Sequence, residues 1–292
     1  MSTSDTTQTG KSRLKLLWRI ARPVLLVYLL IVLAMALLES SLVYPIPPLD
    51  WGNWHPTSFE FENVHFMSAD RTKLHGWFIP HSDPTRAILY CHGNGEDVAA
   101  LGEYAAHLSE SLAASVFIFD YRGYGNSDGR PNEAGCIADG SAAQFWLAGR
   151  MAIKPNEVIL MGRSLGSAVA VALAADNGAR ALVLENAFPT MPDVAASYYP
   201  WLPVRWVMDN RYDNLARIQR YKGPLLQSHG TNDELIPMAA ARRLFDASPT
   251  TTKKWLEFPG LGHNSPQPAS YYVGLKRFLD PLSNPVHHDN VP

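Results

Sequence analysis

Apolar and polar positions divide this chain into two unlike parts. Residues 23–38, PVLLVYLLIVLAMALL, form one uncharged run. From Ser58 onward, short apolar runs of strand length alternate with longer stretches of helical period. FEFENVHFMS and KLHGWFIPH flank a turn at 69–72 and predict an antiparallel pair. RAILYCHG, SVFIFDYRG, EVILMGRSLG, ALVLENAF, PLLQSHGTND and KKWLEFPG predict six further strands. The helix-like VAALGEYAAHLSESLA, NEAGCIADGSAAQFWLAGR, SAVAVALAA and MAAARRLFDA separate them, and SYYVGLKRFL closes the series. Uninterrupted apolar strands alternating with helices predict an α/β fold whose mostly parallel sheet is covered on both faces. Only residues 189–219 break the rhythm. Tyr198, Tyr199, Trp201, Trp206 and Tyr212 lie there among prolines, as in an insertion rather than a strand–helix unit.

The apolar run competes among three readings. Its 16 residues make a helix of about 24 Å, short of a bilayer core of roughly 30 Å. Extension from Leu17 to Tyr44 supplies the difference, with Arg19 and Arg22 reaching back to the interface and Trp18 and Tyr44 as aromatic anchors. A buried core helix would not be apolar all round with basic flanks on one side. In a cleaved signal, the small residues Ala34-Met35-Ala36 would follow the apolar run rather than lie inside it. Residues 17–44 therefore read as an uncleaved transmembrane signal anchor. The positive-inside rule places the N-terminus in the cytosol and the rest on the extracytoplasmic or lumenal side. Around it, 1–16 read as a disordered polar lead, 45–57 as a Pro-rich linker, 58–282 as one domain and 283–292 as a flexible tail.

Composition narrows the function classes. A 47% hydrophobic fraction excludes a wholly disordered chain, and a net charge of −2 without a basic stripe offers nucleic acid no footprint. Cys91 and Cys136 are too few for a disulfide framework and lack zinc-ligand spacing; whether they bridge stays open. No metal or organic cofactor is expected.

Chemistry concentrates after the predicted strands. Gly162-Arg163-Ser164-Leu165-Gly166 is a G-x-S-x-G pattern between the strand EVILM and an Ala/Val-rich helix. That spacing suits a strained strand-to-helix turn, which lifts the hydroxyl clear of the sheet and needs glycine on both sides. A serine is a weak nucleophile without a base and a carboxylate that orients the base. Asp233 in HGTNDELIP and His263 in FPGLGHNSP supply both, each just past a predicted strand, where open α/β sheets build their sites. Rival histidines are less well placed: His55, His65, His75 and His81 precede the parallel core, and His287 and His288 belong to the tail. His92-Gly93-Asn94-Gly95 follows AILYC, and the backbone N–H groups of Asn94 and Leu165 are the expected oxyanion donors. Glu96 and Asp97 add negative charge beside that turn. The glycine-rich DYRGYGNSDG at 120–129 reads as structural support behind the site.

Five motifs together carry a resemblance: HGNG at 92–95, DYRGYGNSDG at 120–129, GRSLG at 162–166, SHGTNDELIP at 228–237 and GLGHNSP at 261–267. On these the chain, over about residues 58–282, resembles the α/β-hydrolase superfamily, and more narrowly its membrane-anchored Bem46-like branch. The resemblance implies an α/β-hydrolase fold, with Ser164 as nucleophile, His263 as base and Asp233 as the orienting acid. It also implies Asn94 and Leu165 amides as oxyanion donors and residues 189–219 as a small cap. The expected activity is hydrolysis of a small-molecule or lipid acyl ester or thioester through an acyl-enzyme. A serine aminopeptidase is the alternative, with Glu96, Asp97 or acids of the insertion holding the substrate ammonium. A catalytically silent, membrane-anchored binding protein is the third reading.

Overall fold

A computed structural model describes residues 5–282, with side chains from residue 17 onward. The disorder expected at 1–4 and the flexible tail expected at 283–292 lie outside the described residues. Helix α1 (Asp5–Leu37) contains Pro23, and a turn at Leu38 separates it from the short α2 (Glu39–Val43). Disorder was expected through residue 16, whereas the helix starts at Asp5, although Asp5, Thr6, Thr7, Thr9 and Gly10 are weak helix formers. Within α1, Leu17–Leu37 has a mean hydropathy of 2.5 and, at 21 residues, is long and apolar enough to cross a bilayer.

The sheet follows. Strands β1 (Glu62–Met67) and β2 (Lys73–Ile79) form the expected antiparallel pair. Then come β3 (Arg86–Cys91), α3 (Val98–Leu112), β4 (Ala114–Phe119), α4 (Glu133–Arg150), β5 (Ile159–Arg163), α5 (Leu165–Asn177) and β6 (Ala181–Glu185). Three short helices, α6 (Met191–Tyr198), α7 (Val204–Val207) and α8 (Asn214–Ile218), occupy the irregular insertion. Strand β7 (Leu225–Gly230), α9 (Met238–Ala247), β8 (Lys253–Phe258) and α10 (Ala269–Leu279) complete the chain. The eight strands lie in the order β1-β2-β4-β3-β5-β6-β7-β8, with β3 to β8 parallel.

All six residues of β3, β4 and β7, and all five of β6, are buried, as strands covered on both faces require. One apolar layer joins Leu147 of α4, Val169 of α5 and Leu244 of α9; the other joins Leu108 of α3 to Tyr271 and Leu275 of α10. Parallel strands all end at one edge, so the loops after β3, β5, β6, β7 and β8 converge there.

The connector to the sheet is less of a spacer than its prolines suggest. Asn53 donates its N–H to the Ala99 carbonyl, and a Cβ on Gly52 would lie 2.5 Å from the Ala100 nitrogen. Trp54 meets Trp77 edge to face at 6.1 Å. Tyr44, expected as an interfacial anchor, is instead buried, its hydroxyl donating to Asn210 Oδ1 at 2.7 Å and lying 3.0 Å from that of Tyr212. Phenol burial with a satisfied hydroxyl replaces contact with lipid headgroups.

Candidate active site

Local sterics set the turn at Ser164. Ser164 has φ 51° and ψ −117°, a left-handed backbone that costs an L-residue about 1–2 kcal/mol. The neighbours leave no alternative. A Cβ on Gly162 would collide with the carbonyl of Gly166, and one on Gly166 would collide with those of Cys91 and His92. Ser164 N–H donates to the Glu185 carbonyl at 2.9 Å, fixing the turn against β6.

The three residues singled out from the sequence come together. Ser164 Oγ donates to His263 Nε2 at 2.9 Å, and His263 Nδ1 donates to Asp233 Oδ2 at 2.8 Å. An ionised carboxylate only accepts, so it places the imidazole proton on Nδ1 and leaves Nε2 free to accept from the serine. The other oxygen of Asp233 accepts the N–H groups of Leu235 and Ile236 at 2.9 and 2.7 Å. Burial pushes the Asp233 carboxyl up, but the hydrogen bonds from His263 and Ile236 and the nearby imidazoles outweigh it, and the net shift is downward. His229 Nε2 lies 3.5 Å from the same carboxylate and donates to the Ile236 carbonyl at 2.8 Å. Burial lowers its pKa and favours the neutral ring.

Sequence reasoning missed the clamp on His263. Glu234 Oε2 accepts its backbone N–H at 3.1 Å; Asn186 Nδ2 and Arg163 Nη2 donate to its carbonyl at 2.8 and 2.9 Å. Asn186 also stands at φ 48°. Each residue was in view in or beside a motif, yet nothing local signals a partner 29 to 100 positions away.

The turn holding Asn94 and the start of α5 at Leu165 are neighbours, because Cys91 of β3 pairs with Gly162 of β5. Leu165 opens a helix, where the first N–H groups have no intrahelical acceptor. The Asn94 side chain is held from two sides: Tyr124 donates to its Oδ1 at 2.7 Å, and its Nδ2 donates to the Val43 carbonyl. The charge expected from Glu96 is engaged, since that carboxylate accepts Gly93 N–H at 2.7 Å and lies 3.4 Å from Arg163. Asp97 caps α3 by accepting Ala100 N–H at 2.8 Å. In the 120–129 loop, Asp120 accepts from His75, Val98 and Asn126, and Arg122 is bound by Asp139 and Asp70. Both cysteines are free and buried, and among the described residues no group of His, Cys, Asp and Glu is arranged to hold a metal.

The architecture has many relatives. It is similar to an esterase of Pyrococcus furiosus, with a TM-score of 0.68 at 21% identity over 81% of this chain and 97% of that one. A soluble variant of monoglyceride lipase from Saccharomyces cerevisiae gives 0.59 at 16% identity, over 79% and 97%. In sequence, the chain is 40% identical to an uncharacterized protein of Mycobacterium tuberculosis over 74% of its own length and 78% of the relative's. It is 30% identical to the protein bem46 of Schizosaccharomyces pombe, over 77% and 80%. Residues 86–217 match the model of the alpha/beta hydrolase fold. With that match, the sheet order and the relatives that align over most of their length, the chain belongs to the α/β-hydrolase family.

Proposed function

We propose that this protein is a membrane-anchored serine hydrolase that cleaves carboxylic esters or thioesters through an acyl-enzyme. The family and its esterase and lipase structural neighbours support hydrolase activity. The finer reading rests on one observation, the continuous relay from Ser164 Oγ through His263 to Asp233 at 2.9 and 2.8 Å.

In the first step Ser164 Oγ attacks the acyl carbon while its proton passes to His263 Nε2. Asp233 stabilises the resulting imidazolium without taking the proton. The Asn94 and Leu165 amides receive the oxyanion; loss of one such donor typically costs about 10²–10³ in turnover. Collapse breaks the bond to the leaving alcohol or thiol, which departs with the proton from His263. Water then attacks the acyl-serine with the same base, releasing the acid and restoring the hydroxyl.

The aminopeptidase alternative needs a carboxylate for the substrate ammonium. Glu96 and Asp97 are engaged as described, Asp193 is bound by Arg205 and Arg243, and Asp213 caps α8. These pairings leave Asp209, exposed after α7, as the insertion's remaining aspartate, and they favour a neutral acyl substrate. Helix α1 serves as the anchor, with the N-terminus cytosolic and the hydrolase domain on the extracytoplasmic side.

Fluorophosphonate labelling of the full chain in detergent tests the reading. The wild type labels and Ser164→Ala does not, and ester turnover falls at least about 10³-fold in the variant. A folded wild-type protein that neither labels nor hydrolyses a p-nitrophenyl ester series would sink it.

A further inference from the structure

Where the apolar helix ends, its last turn and α2 enclose a cavity of about 250 Å³ together with the cap helices. Met35 and Val43 form one side, and Met191, Val194 and Val207 the other. Asn94, whose amide is assigned above to the oxyanion, lines it too. Glu39 ties the two sides together: buried, it accepts the N–H groups of Asp209 and Asn210 at 3.0 and 2.7 Å, and Asn210 Nδ2 at 2.8 Å. The carboxylate thereby accepts three hydrogen bonds, and apart from Asn94 and Tyr199 the remaining walls are hydrocarbon and thioether.

The cap also runs beside the spanning helix. Tyr28 donates its hydroxyl to the Trp201 carbonyl at 3.0 Å, and Tyr28 lies nine residues, about 14 Å, before the end of α1. A groove of about 510 Å³ opens there between Tyr28, Trp201 and Trp206, and Val204 borders both groove and cavity. Trp201 is 55% exposed and Trp206 88%. Tyr28 is the twelfth of the 21 residues Leu17–Leu37, so these exposed aromatics lie against the helix at the depth of a bilayer's hydrocarbon.

We infer that the inner cavity is the acyl-chain site, that the N-terminal helix is one of its walls, and that its occupant is the single acyl chain of a lipid ester or thioester entering sideways from the bilayer. This rests on the serine-hydrolase reading for its reactive end. A methylene fills about the space of one water, roughly 30 Å³, so the cavity seats about eight carbons. Longer chains continue into the groove beside Tyr28.

The test uses the full chain in nanodiscs, with Ala195→Trp on the cap side and Ala36→Trp on the helix side. Both residues line the cavity. The readout is the ratio of kcat/KM for p-nitrophenyl octanoate to that for the acetate, in variants that still label with fluorophosphonate. The wild type prefers octanoate, and each indole lowers the ratio at least about tenfold. An unchanged ratio in both variants, or a wild type indifferent to chain length, overturns the site. A second measurement does not depend on turnover: photolysis of a diazirine-bearing decanoic acid on Ser164→Ala protein. It labels peptides within 191–208, and the added Ala195→Trp abolishes that label. Such labelling in a protein whose wild type never reacts with fluorophosphonate would leave the chain site standing and remove the serine chemistry. Normal serine chemistry with cross-links only elsewhere would do the reverse.

Discussion

His263 and Asp233 meet at 2.8 Å, and so do His75 and Asp120, with both carboxylates fully shielded from solvent. Both acids stand just past strand ends, Asp233 after β7 and Asp120 after β4. The pairs differ at the far nitrogen. Nε2 of His263 faces a hydroxyl in a strained turn, whereas Nε2 of His75 lies 3.1 Å from the amide oxygen of Asn63. Asp120 is further committed to the N–H of Val98 at the start of α3, and a Cβ on Gly125 would collide with it. This chain thus uses a buried imidazole–carboxylate pair twice. The first pair presents its free nitrogen to Ser164 Oγ, the arrangement on which the proposed chemistry rests, and the second pins a loop to a strand and a helix.

That contrast can be broken by exchange of single atoms. The largest effect is expected for Asp233→Asn, which keeps the shape but no longer fixes the imidazole tautomer; turnover falls about 10⁴-fold while circular dichroism is unchanged. His75→Ala should leave kcat/KM within about twofold, because that pair touches no reacting atom. If His75→Ala were as inactive as Asp233→Asn, the division of roles would collapse. Stability reverses the order. Removing His75 from its buried partner costs on the order of 3 kcal/mol. For a domain of this size that lowers Tm by roughly 10 °C in a calorimetric scan.

The smallest and sharpest effect lies in the pH dependence of stability. The folded Asp233 carboxyl sits below its ordinary 3.8. Its contribution is therefore present above the unfolded value and lost as pH falls through the folded one. Urea midpoints of wild type and Asp233→Asn should converge as pH drops below about 4. A gap that widened with acid would mean the carboxyl is raised, not lowered.

Legibility in the sequence followed the range of the interactions. Apolar runs such as RAILYC and ALVLE announce buried parallel strands because the signal lies within five or six consecutive residues. The turn at Ser164 is equally local, since its glycines answer collisions set by backbone geometry. His263 and Asp233 were legible through their place after strands, even though 30 residues separate them. What escaped notice depends on partners with no common pattern. Glu39 reads as the end of an apolar run, but its acceptors are filled by residues about 170 positions later. Arg163, Asn186 and Glu234 grip the backbone of His263, and backbone carries no identity for a sequence to betray.

The distance along the chain between Ser164 and His263 has a consequence for synthesis. Ser164 and His263 are 99 positions apart. At roughly 5–20 residues per second, the serine leaves the ribosome about 5–20 s before the histidine to which its hydroxyl is hydrogen-bonded in the folded chain. The loop that carries His263 follows β8, which joins last and at the very edge of the sheet. Until that strand arrives Ser164 Oγ has no imidazole beside it, so under the proposed function the growing chain is not acylated by whatever it meets along its route.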